Sequence, residues 1–214
     1  MTTEDWAASQ AYELLYWKEQ WPLRDRPIEE IRAQRLEAAA WLLGALGFPR
    51  LGERRFAGFE GRVLEVGCGP IGFFDRVEGI ACDAVDSLMA AYARELPYAT
   101  LGRAGATTYL AARGLKEVTG AYDFVVCSNV LDHTGDWRAF LRGLCATTAR
   151  SPAGRLLLYT HTRRAPVGGH SQVFSPGEVI DAVQAAGLRG IERAAVRPCP
   201  PHADHELFLR AAAG

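Results

Sequence analysis

The sequence predicts an α/β fold: a doubly wound, seven-stranded, mostly parallel sheet, closed by an antiparallel terminal hairpin and preceded by an N-terminal helical cap. Three observations predict it. From residue 61 onward, short and nearly unbroken apolar runs alternate with helical patterns, and strands of that kind belong to a parallel sheet covered on both faces. The last two strand runs have no helix between them, which suits an antiparallel hairpin. The first 60 residues are helical in pattern, so the chain divides into a cap over 1–60 and a main domain over 61–214.

The bulk properties fit this. A chain of 214 residues, 49% hydrophobic and 23% charged, has an ordinary globular composition. The formal net charge of −1 gives no global positive field for phosphate backbones, so a nucleic-acid partner is not expected. No apolar run reaches the roughly 18 residues needed to span a bilayer, so no membrane partner is expected either. The acidic start Met1-Thr2-Thr3-Glu4-Asp5 lacks the basic-then-apolar order of a secretory signal, and five cysteines without a C-x-x-C read as small buried hydrophobes. A cytoplasmic location follows as the expectation.

Taken in order, residues 4–20 read as a helix crowded with Trp6, Tyr12, Tyr16 and Trp17, ended by Pro22 and Pro27. Residues 28–46 read as a second helix, with Ile28, Ile31, Leu36, Trp41 and Leu42 on one face and Gly47 as its stop. The Arg- and Gly-rich stretch 48–60 reads as a linker. Strands are expected at 62–66, 79–83, 107–112, 122–127 and 154–159. A short helix is expected at about 70–77, others through Leu96 and around 136–149. Ser175-Pro176-Gly177-Glu178 is a capping-box helix start, and that helix ends at Gly187. The closing strands lie at about 188–196 and 205–211.

Chemistry concentrates at Glu65-Val66-Gly67-Cys68-Gly69-Pro70-Ile71-Gly72, where a buried strand turns sharply. Glycines there let a ligand approach the backbone, and a following helix would present free N–H groups. Asp83, 18 residues after Glu65, stands where a ribose-binding acid belongs at the close of the next strand. Capping of the following helix is the plainer role for it. Read literally, Gly67-x-Gly69-x-x-Gly72 is also a dinucleotide fingerprint, which keeps an NAD(P)-dependent oxidoreductase as an alternative. A non-catalytic protein that retains the fold is a second one.

Val63-Leu64-Glu65-Val66-Gly67-Cys68-Gly69, then Asp83, then Tyr122-Asp123-Phe124-Val125-Val126-Cys127-Ser128-Asn129-Val130-Leu131-Asp132-His133 resembles the class I S-adenosylmethionine-dependent methyltransferases over roughly residues 61–211. The resemblance implies their Rossmann-like methyltransferase fold and S-adenosylmethionine as cofactor. It implies that Gly67 and Gly69 cradle the methionine part, with Glu65 holding that region. Asp83 would accept from both ribose hydroxyls, and Ser128 and Asn129 would line the methionine end. Cys68 and Ala84 complete the expected cofactor-binding set. Two features depart from the family pattern. Ile71 stands where a third glycine is common, and no acid after the third strand clearly matches the usual adenine contact, Glu117 being displaced.

Methyl transfer from a sulfonium needs positioning and, for a hydroxyl or protonated amine, a base. His133, just past the fourth strand, is the expected catalytic base, although a histidine that pins its loop is the plainer reading. Asp132, His161, His170, Tyr16 and Trp17 are the expected substrate contacts, and the loop Thr160 to Phe174 with Gly168-Gly169 is a candidate lid. His202, Asp204, His205 and Cys199 match no metal-site spacing, so no metal is expected. The expected function is methyl transfer to an oxygen or nitrogen of a small-molecule acceptor, with a homodimer left open.

Overall fold

The computed structural model describes residues 3–99, 101–112, 114–165, 170, 172–188 and 190–213, with the side chains of 3–6 left out. The chain begins with helix α1 (Thr3–Leu15), which continues as a π-helical turn over Tyr16–Gln20, and helix α2 (Ile28–Ala45) follows. Strand β1 (Gly61–Val66), strand β2 (Ile80–Val85), helix α3 (Met89–Glu95), strand β3 (Gly102–Ala104) and strand β4 (Thr107–Leu110) come next. Then follow β5 (Phe124–Ser128), α4 (Trp137–Thr148), β6 (Arg155–Thr162), α5 (Pro176–Ala185), β7 (Gly190–Pro198) and β8 (His205–Ala212).

The strands form one sheet in the order β3-β4-β2-β1-β5-β6-β8-β7. The central five, β4-β2-β1-β5-β6, are parallel, while β3, β8 and β7 join antiparallel. The sheet therefore has eight strands, not seven. The extra one, β3, spans three residues and turns into β4 through Gly105 and Ala106. So short a strand, begun by a glycine, has no apolar periodicity to announce it.

Alternation along the strands feeds two cores. Leu64, Val66, Val125, Cys127, Leu156 and Leu158 face Trp137, Leu141 and Leu144 of α4 and Val179 and Val183 of α5. Val63, Phe124, Val126, Leu157 and Phe208 face Leu36, Ala39, Leu42 and Leu43 of α2. Helix α2 thus contributes to the core on that face of the sheet. The expected linker is part of that core too: Phe48, Phe56 and Phe59 are all buried in it. They stand singly among Pro49, Gly52, Gly58 and charged residues, with no sustained apolar run to mark them.

Two further expectations change at the bend after β1. Residues 70–77 form turns and bends, not a short helix. Gly72 disfavours helix there, and the Phe73 N–H is taken by the Glu65 carboxylate at 3.0 and 3.2 Å instead of a helical carbonyl. Strand β2 runs two residues beyond Asp83 to Val85. The capping box on α5 is present as expected, Glu178 N–H donating to Ser175 Oγ at 3.2 Å and Ser175 N–H to Glu178 Oε2 at 2.9 Å. Among the described residues no helix is long and apolar enough to cross a membrane.

Candidate active site

In a parallel sheet, ligands bind beyond the carboxyl ends of the strands, where the crossover direction reverses. Here that point lies between β1 and β5, and a cavity of about 1060 Å³ opens there. Its floor is the bend after β1, the exits of β2 and β5, and the short 3-10 turn Leu131–His133. Its roof comes from α1, the π-helical turn and α2, including Tyr16, Trp17, Trp21 and Trp41.

The bend depends on its glycines. Gly67 and Gly69 have φ of +71° and +65°, in the left-handed region. A Cβ on Gly67 would lie 2.2 Å from Val130 Cγ2, and one on Gly69 would lie 3.0 Å from the Trp17 ring. Trp17 is itself held by its Nε1–H to Glu13 Oε1 (2.7 Å) and by its carbonyl, which accepts from Tyr98 Oη at 2.6 Å. The π-helical turn ends where the Trp21 N–H donates to the Tyr16 carbonyl at 2.8 Å, and this local widening sets Trp17 and Trp21 ring against ring, centroids 4.9 Å apart.

Glu65 is buried beneath the bend and is not on the cavity wall. Its carboxylate braces Phe73 and fills the space a Gly72 side chain would need. Burial pushes its carboxyl up to about 8, against the opposing charge of Arg35.

Asp83 is not at the cavity. It lies within β2, where its carboxylate accepts from Tyr122 Oη at 2.8 Å and pairs with Arg62 at 3.4 Å. Asp86, the first residue past β2, is the acid on the cavity wall. It accepts from Gly69 N–H at 3.0 Å and Leu88 N–H at 2.9 Å. Burial raises its carboxyl to about 6, with those two N–H groups opposing. Ala84 is fully buried in the small cluster around Met89 and Tyr109, away from the cavity, while Cys68 belongs to the same cluster but reaches the cavity wall. Burial drives the Cys68 thiol well above its ordinary value.

Ser128 and Asn129, His133, His161 and His170, and Tyr16 and Trp17 all line the cavity. Asn129 holds a φ of +56°, and its buried Oδ1 has no partner among the described residues. Asp132 is buried behind the wall, accepting from Arg163 and His170. His161 Nε2 lies 2.9 Å from Tyr159 Oη, which donates to Glu206. Gly168 and Gly169 of the candidate lid fall outside the described residues, as does the Trp6 side chain. Glu117, read from sequence as displaced, is on the cavity wall beside Leu115.

The pattern did not single out Arg35. It occupies the buried stripe of α2, four residues after Ile31, an unusual place for a guanidinium and therefore a usable signal. Its guanidinium lies 4.0 Å over the Phe73 ring and reaches the cavity, and its Nε has no acceptor among the described residues.

A family model described as a methyltransferase domain matches residues 31–193. The chain belongs to that family. The match begins inside α2, in keeping with the shared core. Two solved structures show the same methyltransferase fold. One is N-methyltransferase NodS from Bradyrhizobium japonicum WM9 in complex with S-adenosyl-L-homocysteine, at 16% identity over 95% of this chain and 97% of that one, TM-score 0.61. The other is 1,6-didemethyltoxoflavin-N1-methyltransferase from Burkholderia thailandensis, at 17% identity over 100% and 92%, TM-score 0.60. No curated protein sequence matches the chain.

The oxidoreductase alternative gives way to this membership. The structure adds a physical reason: a dinucleotide fingerprint needs a helix N-terminus after the glycines, and this methyltransferase has turns there. S-adenosylmethionine, the cofactor of class I methyltransferases, fits the residues present. The glycine cradle leaves room where side chains would intrude, Asp86 offers carboxylate acceptors, and Arg35 offers an uncommitted donor.

Proposed function

We propose that this methyltransferase transfers the methyl group of S-adenosylmethionine to an oxygen or nitrogen of a small-molecule acceptor in the cytoplasm. The observation that carries the reading is Asp86 on the cavity wall, tied to the Gly69 N–H at the exit of β2. A carboxylate has about four lone-pair positions, so Asp86 keeps acceptor capacity for the two ribose hydroxyls beyond its two backbone donors. This role, expected of Asp83, passes to Asp86. Gly67 and Gly69 hold the methionine part, and Arg35 meets its carboxylate. Ser128 and Asn129 border the methionine end, with Cys68 below. Glu65 keeps the bend in shape. Bound there, S-adenosylmethionine supplies an activated methyl group together with its own leaving group.

The acceptor side is the aromatic roof and the histidines. Tyr16 and Trp17 exclude water and give flat apolar contact. His133, His161 and His170 ring the same space and offer a place for the acceptor's proton. A cavity of about 1060 Å³ has room for cofactor and a second small molecule together.

Calorimetry with S-adenosylhomocysteine tests the reading. Wild type is expected to bind. Asp86→Ala is expected to lose affinity by about 1–3 kcal/mol, roughly 10–100-fold, through lost charge-assisted bonds. Asp83→Ala is expected to leave affinity near that of wild type. Equal losses from both, or none from Asp86→Ala, would remove Asp86 from the cofactor site.

A further inference from the structure

We propose that His170 is the residue that takes the acceptor's proton, in a dyad with buried Asp132; this rests on the methyl-transfer reading above. Asp132 lies in the 3-10 turn after β5 with 1% of its surface exposed. Its Oδ2 receives two donors, Arg163 Nη1 at 2.5 Å and His170 Nδ1 at 2.7 Å. Arg163 is also buried, and its Nη2 donates to the His202 carbonyl at 3.0 Å, so the guanidinium is anchored from the β7–β8 connection as well. Burial alone would raise the Asp132 carboxyl. The hydrogen bond from His170 and the charges of His133, His170 and Arg163 outweigh it and hold the group below its ordinary value.

Asp132 is therefore an anion, and a carboxylate only accepts. The nitrogen of His170 that faces it must carry the hydrogen. In the neutral ring the lone pair is then on Nε2, the one nitrogen left for the acceptor. His170 lines the cavity and Asp132 does not, so the carboxylate orients the ring without competing for the acceptor. Backbone fixes the arrangement: Gln172 N–H donates to the Asp132 carbonyl at 3.1 Å, and Arg163 pairs with Phe174 in an isolated bridge.

His133 also lines the cavity but has no such partner among the described residues. Its Nε2 is 3.8 Å from Asp132 Oδ1 and its Nδ1 is 3.9 Å from Glu13 Oε2, both too long for hydrogen bonds. Burial lowers its pKa below the ordinary imidazole value, with Asp132 opposing and the charge of His170 adding to the fall. The two rings stand 4.2 Å apart. His133 is then a positioning residue that packs against His170. The charged and titratable groups around the pair are Asp132, Arg163, Glu13 and His161.

As the acceptor's oxygen or nitrogen bonds to the methyl carbon, its own bond to hydrogen breaks and the proton passes to His170 Nε2. The carbon–sulfur bond breaks with its electron pair left on sulfur. The imidazolium, opposed by Asp132, then releases the proton to solvent.

Three measurements test this. In histidine-15N-labelled protein without acceptor, the neutral His170 ring is expected as the Nδ1–H tautomer, with a downfield proton signal missing from His170→Gln. The Nε2–H tautomer would overturn the dyad. With labelled S-adenosylmethionine and a panel of phenols and amines, His170→Gln is expected to lower kcat about 10²–10⁴-fold and to remove the acidic limb of the pH–rate profile. His133→Gln is expected to lose less than about tenfold. Near-normal turnover in His170→Gln, or a larger loss in His133→Gln, would overturn the assignment. S-adenosylhomocysteine calorimetry keeps the two readings apart. His170→Gln is expected to bind as wild type does, and failure of wild type to bind would sink the methyl-transfer reading while the tautomer still decides the dyad.

Discussion

Asp83 and Asp86 are three positions apart, an odd separation, and along an extended chain that sends side chains to opposite faces. Asp83 shares its face with Val85 and finds Tyr122, whereas Asp86 turns to the cavity and the Gly69 N–H. A carboxylate inside an apolar run reads as the end of a strand. Here the Tyr122 hydroxyl and Arg62 let one sit within it, so the sequence pattern stopped β2 too early and passed over Asp86 at the cavity. The position of Asp86 carries a pH dependence. Its carboxyl is raised to about 6, so folding favours the protonated form; the stability this contributes is present below the ordinary carboxylate range and is lost as pH rises through about 6. Cofactor binding runs the other way, because the ribose hydroxyls need the ionised form. Affinity for S-adenosylhomocysteine is expected to reach a plateau above neutrality and to fall below pH 6, approaching about tenfold per unit. Calorimetry across pH 5.5 to 8 checks it, and a flat profile would free Asp86 from that part. The glycines and the cavity histidines, by contrast, were legible directly. Gly67, Gly69, His133, His161 and His170 carry distinctive chemistry in few positions, and the fold brings them all to the cavity lining.

Elements were legible in proportion to how far their own local interactions define them. Helix α5 announces itself through Ser175, Pro176 and Glu178, and all of that capping geometry is present. Ser175→Ala is expected to cost about 1 kcal/mol in thermal or urea unfolding, with cofactor affinity unchanged. A loss near zero would mean that packing on α4, not the cap, sets the start of this helix. The segment 70–77 is the opposite case. Its composition allows a helical turn, but a side chain from β1 captures the backbone donor that a helix would use. Strand β3 depends on pairing with β4 and has no signal of its own. Both were hidden because the deciding contact comes from elsewhere in the chain.

At the scale of the molecule, the question is where the helical N-terminal part ends and the sheet domain begins. Leu43 is fully buried in the core that contains Val63, Val126 and Leu157. Leu43→Ala is expected to lose about 2–5 kcal/mol, as for any well-packed interior leucine, in a single unfolding transition. Two separable transitions would restore an independent cap. The mostly parallel sheet and the terminal hairpin followed from the sequence because β1, β5 and β6, buried on both faces, read as near-continuous apolar runs. The packing of α2 on the sheet did not, since the apolar residues of a helix do not name the surface they cover.

The reversal of crossover direction between β1 and β5 also partitions the cavity by stretches of chain. In the proposed reading Gly67, Gly69 and Asp86 hold the donor, while Tyr16, Trp17, His133, His161 and His170 face the acceptor. Each set can therefore drift under its own selection. A lineage that reshaped the roof and the histidine wall would acquire new acceptors while inheriting, untouched, its grip on the methyl donor.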